Sequence, residues 1–368
     1  MPAIITGINP LNTNKIYTAL YNMVISQEVF GGNIKNTYSE LVDRARVDVG
    51  LYGDQKWYYA TDCLASYEFD MDSEEQLNLL ATKRPTAPEV QNIVIDQFRQ
   101  IALTLDSYLS KQAWGTEGAF SQFNSIMMGW IGDTKRIIDS TTYNTFIGTN
   151  ETAIGKQERE IAVVEGQNDA LTIAVDLADL LVDLKDVSRD YNDYGFIRSY
   201  DEGDFTVVFN ALFWNQLKKA DLPVIFHKEG LLDEFEKVVL PARYFGKVVD
   251  INNHTLMTIP MEGLQTYRTL VEKDVVRDDK TIHLFPGDKL LGGEQGYEDE
   301  VYMEDDKIAY KVIHKRSVPF MSAFSVSTSF FNAKNLSTNY YLTYGRNTLE
   351  HLQNFPFITA RFEEAIRD

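Results

Sequence analysis

Apolar residues recur along this chain at helical and at strand spacing, and the two kinds of run alternate. Near the start, Asn12, Thr13 and Asn14 offer N-caps, and Ile16, Leu20, Met23 and Val24 share one helical face before Gly31 and Gly32. A second short helix is predicted over Thr37, Tyr38, Leu41, Val42 and Ala45, with Glu40 three residues after Thr37 as in a capping box and Gly50 and Gly53 closing it. Trp57 to Asp70 then reads WYYATDCLASYEFD, aromatic and β-branched at strand density, and Lys83, Arg84, Pro85 and Pro88 end the excursion. Its aromatics, Trp57, Tyr58, Tyr59, Tyr67 and Phe69, exceed what a two-stranded ribbon hides within itself, so they need a partner surface on this chain or another.

A long extended segment follows from Val90 to Leu105. After Gly115 and Gly118, residues Phe120, Phe123, Met127, Trp130 and Ile137 recur at three- and four-residue steps and predict one long helix facing a sheet. Trp130 is expected to pack near Phe324 and Val326, and Gly129 and Gly132 to mark close backbone approach. Beyond a polar gap, Thr149 to Glu160, a helix capped by Asn168 or Asp169 places Leu171, Ala174, Val175, Ala178, Leu181 and Val182 on one face and Asp176, Asp179 and Asp183 on a solvent face. FTVVFN from Phe205 reads as a buried strand, and Asn210 caps an immediate helix ending on Lys218 and Lys219, a strand-to-helix step of α/β type. Short strands are expected at Gly246 to Ile251 and at HLFPGD from His283, then an exposed acidic loop from Gly292 to Asp306. The last part is β-rich: Ile308, Tyr310 and Val312 alternate with Lys307, Ala309 and Lys311; Phe320 to Phe330 alternates likewise; Tyr340 to Tyr344 makes a third run.

Composition narrows the class of protein. At 44% hydrophobic and 24% charged, the 368 residues are a globular chain, long enough for two or three lobes at about 150 residues each. Lys plus Arg number 35 against 54 for Asp plus Glu, and a net charge of -19 argues against a broad grip on phosphate backbones. Cys63 is the sole cysteine, so it reads as a small, partly buried apolar residue rather than half of a disulfide. MPAIITGINP lacks a basic region followed by an apolar one, and no apolar run reaches the roughly 18 residues of a membrane span. A cytoplasmic chain with no membrane partner is therefore expected.

The familiar catalytic motifs are missing from the sequence. The sequence holds no GxxxxGK[ST], no GxGxxG, no HExxH and no GxSxG, and His227, His254, His283, His314 and His351 never pair at ligand spacing. Asp190, Asn192, Gly195 and Asp201 fall on some calcium-loop positions, but Tyr194 stands where an oxygen ligand is required. No cofactor, metal or catalytic residue is assigned. Lys311, His314, Lys315 and Arg316 form one basic knot, read either as a solvated strand edge or as a contact with an acidic neighbour.

The order of arm, aromatic ribbon, long strand, long helix, α/β portion and β-rich return resembles the major capsid proteins of tailed DNA phages, the Hong Kong 97-type fold. VVFNALFWNQLKK, then YFGKVVDIN and HLFPGDK, resembles that family's core segments, while the run from RPTAPEVQNIVIDQFRQ to TTYNTF and the late NYYLTYG are similar to capsid proteins of small short-tailed, picovirus-like phages. The resemblance implies an α+β class with an N-terminal arm at 1–48, an extended ribbon loop at 49–88, a P domain with long strand and spine helix at 89–165, a central α/β A domain at 166–305, and a β-rich return at 306–368. It further implies a non-enzymatic shell protein that assembles with itself as hexamers and pentamers in a virion capsid, built in the bacterial host cytoplasm. Scaffolding protein, portal and other virion proteins are the implied partners, with packaged DNA touched only weakly. Trp57, Tyr58, Tyr59, Tyr67, Phe69, Lys315 and Arg316 are the implied assembly contacts. No immunoglobulin-like C-terminal extension and no built-in charged scaffold helix are expected. Two other readings stay open at this point: another self-assembling protein, such as a nanocompartment shell or tail component, and an enzyme with an unmarked carboxylate site.

Overall fold

The computed structural model describes residues 38–48, 54–66, 82, 84–106, 117–152, 154–162, 169–219, 236–250, 267–269, 272–291 and 300–362. In chain order the elements are α1 (Glu40–Ala45), β1 (Arg46–Asp48), β2 (Gln55–Ala60), β3 (Glu89–Asp106), α2 (Glu117–Thr149), β4 (Glu158–Ile161), α3 (Asp169–Lys185), β5 (Phe205–Asn210) and α4 (Ala211–Lys219). Then come β6 (Glu236–Leu240), β7 (Gly246–Asp250), β8 (Tyr267–Arg268), β9 (Lys273–Arg277), β10 (Lys280–Leu284) and β11 (Glu300–Glu304). The chain returns through β12 (Ile308–His314), β13 (Phe320–Asn332), β14 (Ser337–Asn347) and β15 (Phe357–Phe362). It divides into two units: one holds the described residues up to Asp54, Ile95–Thr141 and Met321–Thr348, the other Gln55–Val94, Thr142–Phe320 and the described residues from Leu349.

In the first unit, β3 from Ile95 onward pairs antiparallel with β14, β14 with β13, and β1 lies on the far side of β13. The long helix α2 turns Ile131 and Ile138 into this unit's core, with Lys135 between them reaching the Tyr344 ring at 4.9 Å and Asp139 at 2.9 Å. These positions share a face at helical spacing. Trp130, expected to be the anchor, is 40% exposed, because the inward face is displaced by one residue, about 100°, from the stripe through Phe123, Met127 and Trp130. Phe324 instead stacks on Phe98 at 6.2 Å, where a side chain added to Gly345 would stand 3.0 Å from the Phe98 ring, and Val326 is exposed. The expected close approach at Gly129 and Gly132 is also corrected, since nothing lies within 4 Å of a Cβ built there. The helix expected from Thr37 begins at Glu40, with no side-chain cap from Ser39, and gives way at Arg46 to β1 before the glycines.

The second unit is built on a sheet ordered β4-β15-β12-β5-β6, antiparallel about β12 and parallel at both edges. Strands β12, β5 and β15 are buried at every position. Both faces of β12 are covered despite the alternation at Ile308 to Val312, and the expected basic knot comes apart. Lys311 is fully buried, its Nζ donating to the Asn150 carbonyl at 2.8 Å, and burial pulls its pKa down to about 7. Only Lys315 and Arg316 reach the surface.

Helix α3 covers one face with Ile173, Ala174, Leu177, Leu180, Leu181 and Leu184. Val175 and Val182, placed inward by periodicity, are exposed, while Asp176 is drawn inward. Its carboxylate accepts the Tyr310 hydroxyl at 2.6 Å and Arg159 at 2.5 Å, so this aspartate is not a plain solvent residue. The step from β5 to α4 is as expected, with the Asn210 carboxamide oxygen accepting the Leu212 N–H at 3.1 Å. Two segments differ from expectation: the polar gap contains β4, and the acidic loop contains β11, which pairs with β7 and β8. Cys63 is exposed rather than partly buried.

The far end of α2 is where close approach occurs. Ile147 is fully buried, the Tyr143 hydroxyl donates to the Val318 carbonyl at 3.0 Å, and a Cβ on Gly148 would stand 1.7 Å from the Tyr244 carbonyl oxygen. Ile147→Ala is expected to cost about 2–5 kcal/mol, and Gly148→Ala to destabilise as well because backbone must shift. Trp130→Ala, outside the core, should cost less than about 1 kcal/mol. Denaturant midpoints of the three variants check the corrected helix phase.

His314 closes β12 in a cage of rings. Phe355 stacks on it at 4.3 Å, Tyr200 and Phe205 meet it edge-on, and its Nδ1 accepts the Arg316 N–H at 3.1 Å. Burial lowers its pKa to about 4. Because the folded value lies below the ordinary one near 6.5, the unfolded chain takes up the proton first as pH falls. Stability from this group is therefore complete above about pH 6.5 and declines on acidification toward pH 4, by on the order of 3 kcal/mol. Melting temperature against pH should fall through this window and fall less steeply in His314→Phe.

Candidate assembly surface

The aromatic run folds as one arm of a two-stranded ribbon whose other arm is the beginning of β3. The register sets Gln55 opposite Val94, Trp57 opposite Asn92 and Tyr59 opposite Val90, with Tyr58 opposite Gln91 and Ala60 opposite Glu89. Opposed residues in an antiparallel pair share a face, so the two sets lie on opposite sides of the ribbon. Trp57 and Tyr59, 52% and 69% exposed, form an open apolar stripe with Val90 and Val94. Within that stripe the Asn92 amide donates to Gln55 Oε1 at 3.0 Å, and none of the six residues on this face of the ribbon is charged.

The other face is bound into its own unit. Ala60 and Ile93 are buried, and Tyr58 lines a cleft of about 110 Å³ with Gln91, Tyr194, Leu352 and Phe355. Burial raises the Tyr58 hydroxyl pKa. Gln91 clamps the turn before β15: its Nε2 donates to the His351 carbonyl at 2.9 Å and its Oε1 accepts the Gln353 N–H at 3.1 Å. The turn is held from within by His351 Nε2 on the Phe355 carbonyl at 2.8 Å, and by the Gln353 carbonyl, which accepts the Asp193 N–H.

The outgoing arm is tied as firmly. The Asp62 carboxylate accepts the Ile197 N–H at 2.9 Å and Arg189 Nη1 at 2.8 Å. Those two donors, the backbone N–H foremost, hold its pKa near 2. Arg198 donates to the Thr61 carbonyl at 2.7 Å and to Asn354 at 3.1 Å, joining the ribbon's exit to the same turn. Gln91, Asp62, Arg189 and Arg198 were not singled out from sequence. No local pattern marks them, since their partners lie 127 to 262 residues away.

Of the residues expected at an assembly contact, the structure brings Trp57 and Tyr59 together outward and turns Tyr58 inward. Tyr67 and Phe69 lie outside the described residues. Lys315 and Arg316 sit past the end of β12, where Lys315 Nζ is 3.8 Å from Glu236 and the Lys315 N–H donates to the Asp204 carbonyl. Asn192, on the loop with partial calcium-site spacing, is buried and spends its side chain on the Phe196 N–H and carbonyl. Among the described residues no group of three or more His, Cys, Asp or Glu side chains is placed to hold a metal ion.

No family model and no curated protein matches the chain. Solved structures do. A chain from the capsid structure of Staphylococcus phage Andhra superposes with a TM-score of 0.58 at 10% identity, covering 86% of each chain. A chain from the structure of the head fiber and inner core protein gp22 of native bacteriophage P68 superposes with a TM-score of 0.61 at 9% identity, covering 87% of this chain and 83% of that one. With the mixed architecture above, these likenesses show an α+β fold of the Hong Kong 97 type.

Proposed function

We propose that this chain is the major capsid protein of a tailed phage, assembling with itself as hexamers and pentamers into the closed shell around double-stranded DNA. The observation that carries the reading is the likeness, over most of both chains, to a subunit of a phage capsid structure. A surface that a shell subunit requires is present as well: the stripe of Trp57, Tyr59, Val90 and Val94 stands on a ribbon fixed at both arms. Aromatic residues held rigidly in this way lose little freedom on burial and contribute much of an interface's energy. Tyr67 and Phe69 belong to the same contact in this reading, and Lys315 and Arg316 supply an exposed basic point on an acidic subunit.

The subunit acts structurally rather than as an enzyme. A scaffolding protein and a portal are its expected partners, with other virion proteins, and its place is the virion capsid after assembly in the host cytoplasm. Contact with DNA is weak and non-specific, because a net charge of -19 opposes phosphate backbones.

The test is the double variant Trp57→Ala/Tyr59→Ala. Removing the whole ribbon would strip β2 from its partner and expose Ile93, whereas these two side chains already face outward. The variant should keep the wild-type melting temperature within about 2 °C, as surface changes do, and lose shell formation by light scattering. Shells forming as in wild type would remove the stripe from the assembly contact.

A further inference from the structure

Strand β13 departs from the way soluble proteins treat a strand at a sheet border. It is 13 residues long, and β1, its neighbour on one side, has only 3. From Ser325 to Phe331, that edge therefore meets no partner strand among the described residues. Exposed edges are ordinarily blunted by lysine, proline or a bulge. From Ser325 to Phe331 this strand has none of these, since its irregularity lies between Ser322 and Ser325.

Both faces of that stretch are open too. Val326, Thr328 and Phe330 alternate with Ser325, Ser327, Ser329 and Phe331, and all seven are exposed, Phe330 at 64% and Phe331 at 54%. Charge is the second observation. From Ser317 to Ala333 the sequence has no Asp, Glu, Lys or Arg, in a chain where those make up 24%. The other long strands of this sheet carry charge, Arg346 on β14 and Asp96 and Arg99 on β3.

We propose that β13 is a self-pairing edge, which joins the same strand of a second copy of this chain in antiparallel register. In a two-fold pair the residue on the axis meets its own symmetry mate and those beside it lie close to theirs, so a charge near the axis would stand against a like charge. The charge-free run from Ser317 to Ala333 meets that requirement wherever the axis falls between Ser325 and Phe331. The strong negative charge of the subunit points the same way, because copies approach with least repulsion along a neutral edge. The inference builds on the shell reading and names one of its contacts, separate from the ribbon stripe.

Two experiments test it. First, Ser325→Cys, Ser327→Cys and Ser329→Cys are made singly in a Cys63→Ser background and oxidised at assembly concentration. The residue nearest the two-fold axis should give a disulfide-linked dimer on a non-reducing gel and its neighbours much less. Second, at whichever of Ser325, Ser327 and Ser329 links most strongly, replacement by Asp and by Lys should each lose assembly with melting temperature unchanged, and an equimolar mixture of the two should regain it, since opposite charges then face each other. No dimer at any of the three positions overturns the proposal, as does a mixture no better than its components. Opposite effects from Asp and Lys, with no rescue, would assign the edge to a different partner segment and equally overturn self-pairing. Shells that form normally from wild type and both charge variants would reject this contact while leaving the shell reading intact; a wild type that never forms shells would reject that reading, and the dimer on the gel would still decide this one.

Discussion

A strand covered on both faces is the constraint on which the larger unit depends. β12 runs through the middle of its sheet, hydrogen-bonded to β5 on one side and β15 on the other, with every residue buried. Each polar group on it must then find a partner inside the protein. Tyr310 gives its hydroxyl to Asp176 and thereby sets the rotation of α3; Lys311 gives its amine to Asn150 and meets the Phe357 ring at 5.5 Å. His314 ends the strand under Phe355. A buried ammonium is costly unless partnered, and burial of Lys311 disfavours its charged form, which lowers its pKa.

The outward ribbon follows from that interior. Phe355 lies over His314 and belongs to the turn that Gln91 grips, so the base of the ribbon is seated on the end of the central strand through one ring and one carboxamide. Asp62 and Arg198 complete the seat on the outgoing arm. In the proposed shell, a loop that covers a neighbour needs its direction fixed without being buried itself, and this arrangement supplies both. Interior packing sets direction on the Tyr58 face, while Trp57 and Tyr59 stay available on the other.

What could be read from sequence was local. The long strand was expected from Val90 to Leu105 and runs Glu89–Asp106; the strand, Asn210 cap and helix at FTVVFNALFWNQLKK form as their spacing requires. Helix phase was less legible. The apolar stripe of α2 was misjudged by one residue at Trp130, and that of α3 at Val175 and Val182, because Asp176 is drawn inward by Tyr310 and Arg159 and Lys135 by the Tyr344 ring, partners that no local period marks. β4 and β15 escaped notice, as EREI and FITARF carry the Glu and Arg that pair with one another, Arg361 with Glu158 at 3.4 Å. The aromatic content of the proposed assembly surface was visible from the start, whereas its division into an outward and an inward face needed the register with β3.

Shell assembly is the central claim, and electron microscopy of the purified full chain under assembly conditions, with and without a scaffolding protein, tests it most directly. The account predicts closed icosahedral or prolate particles in which subunits are grouped in fives and sixes. Monodisperse single subunits in both conditions, or open tubes in place of closed shells, would contradict it.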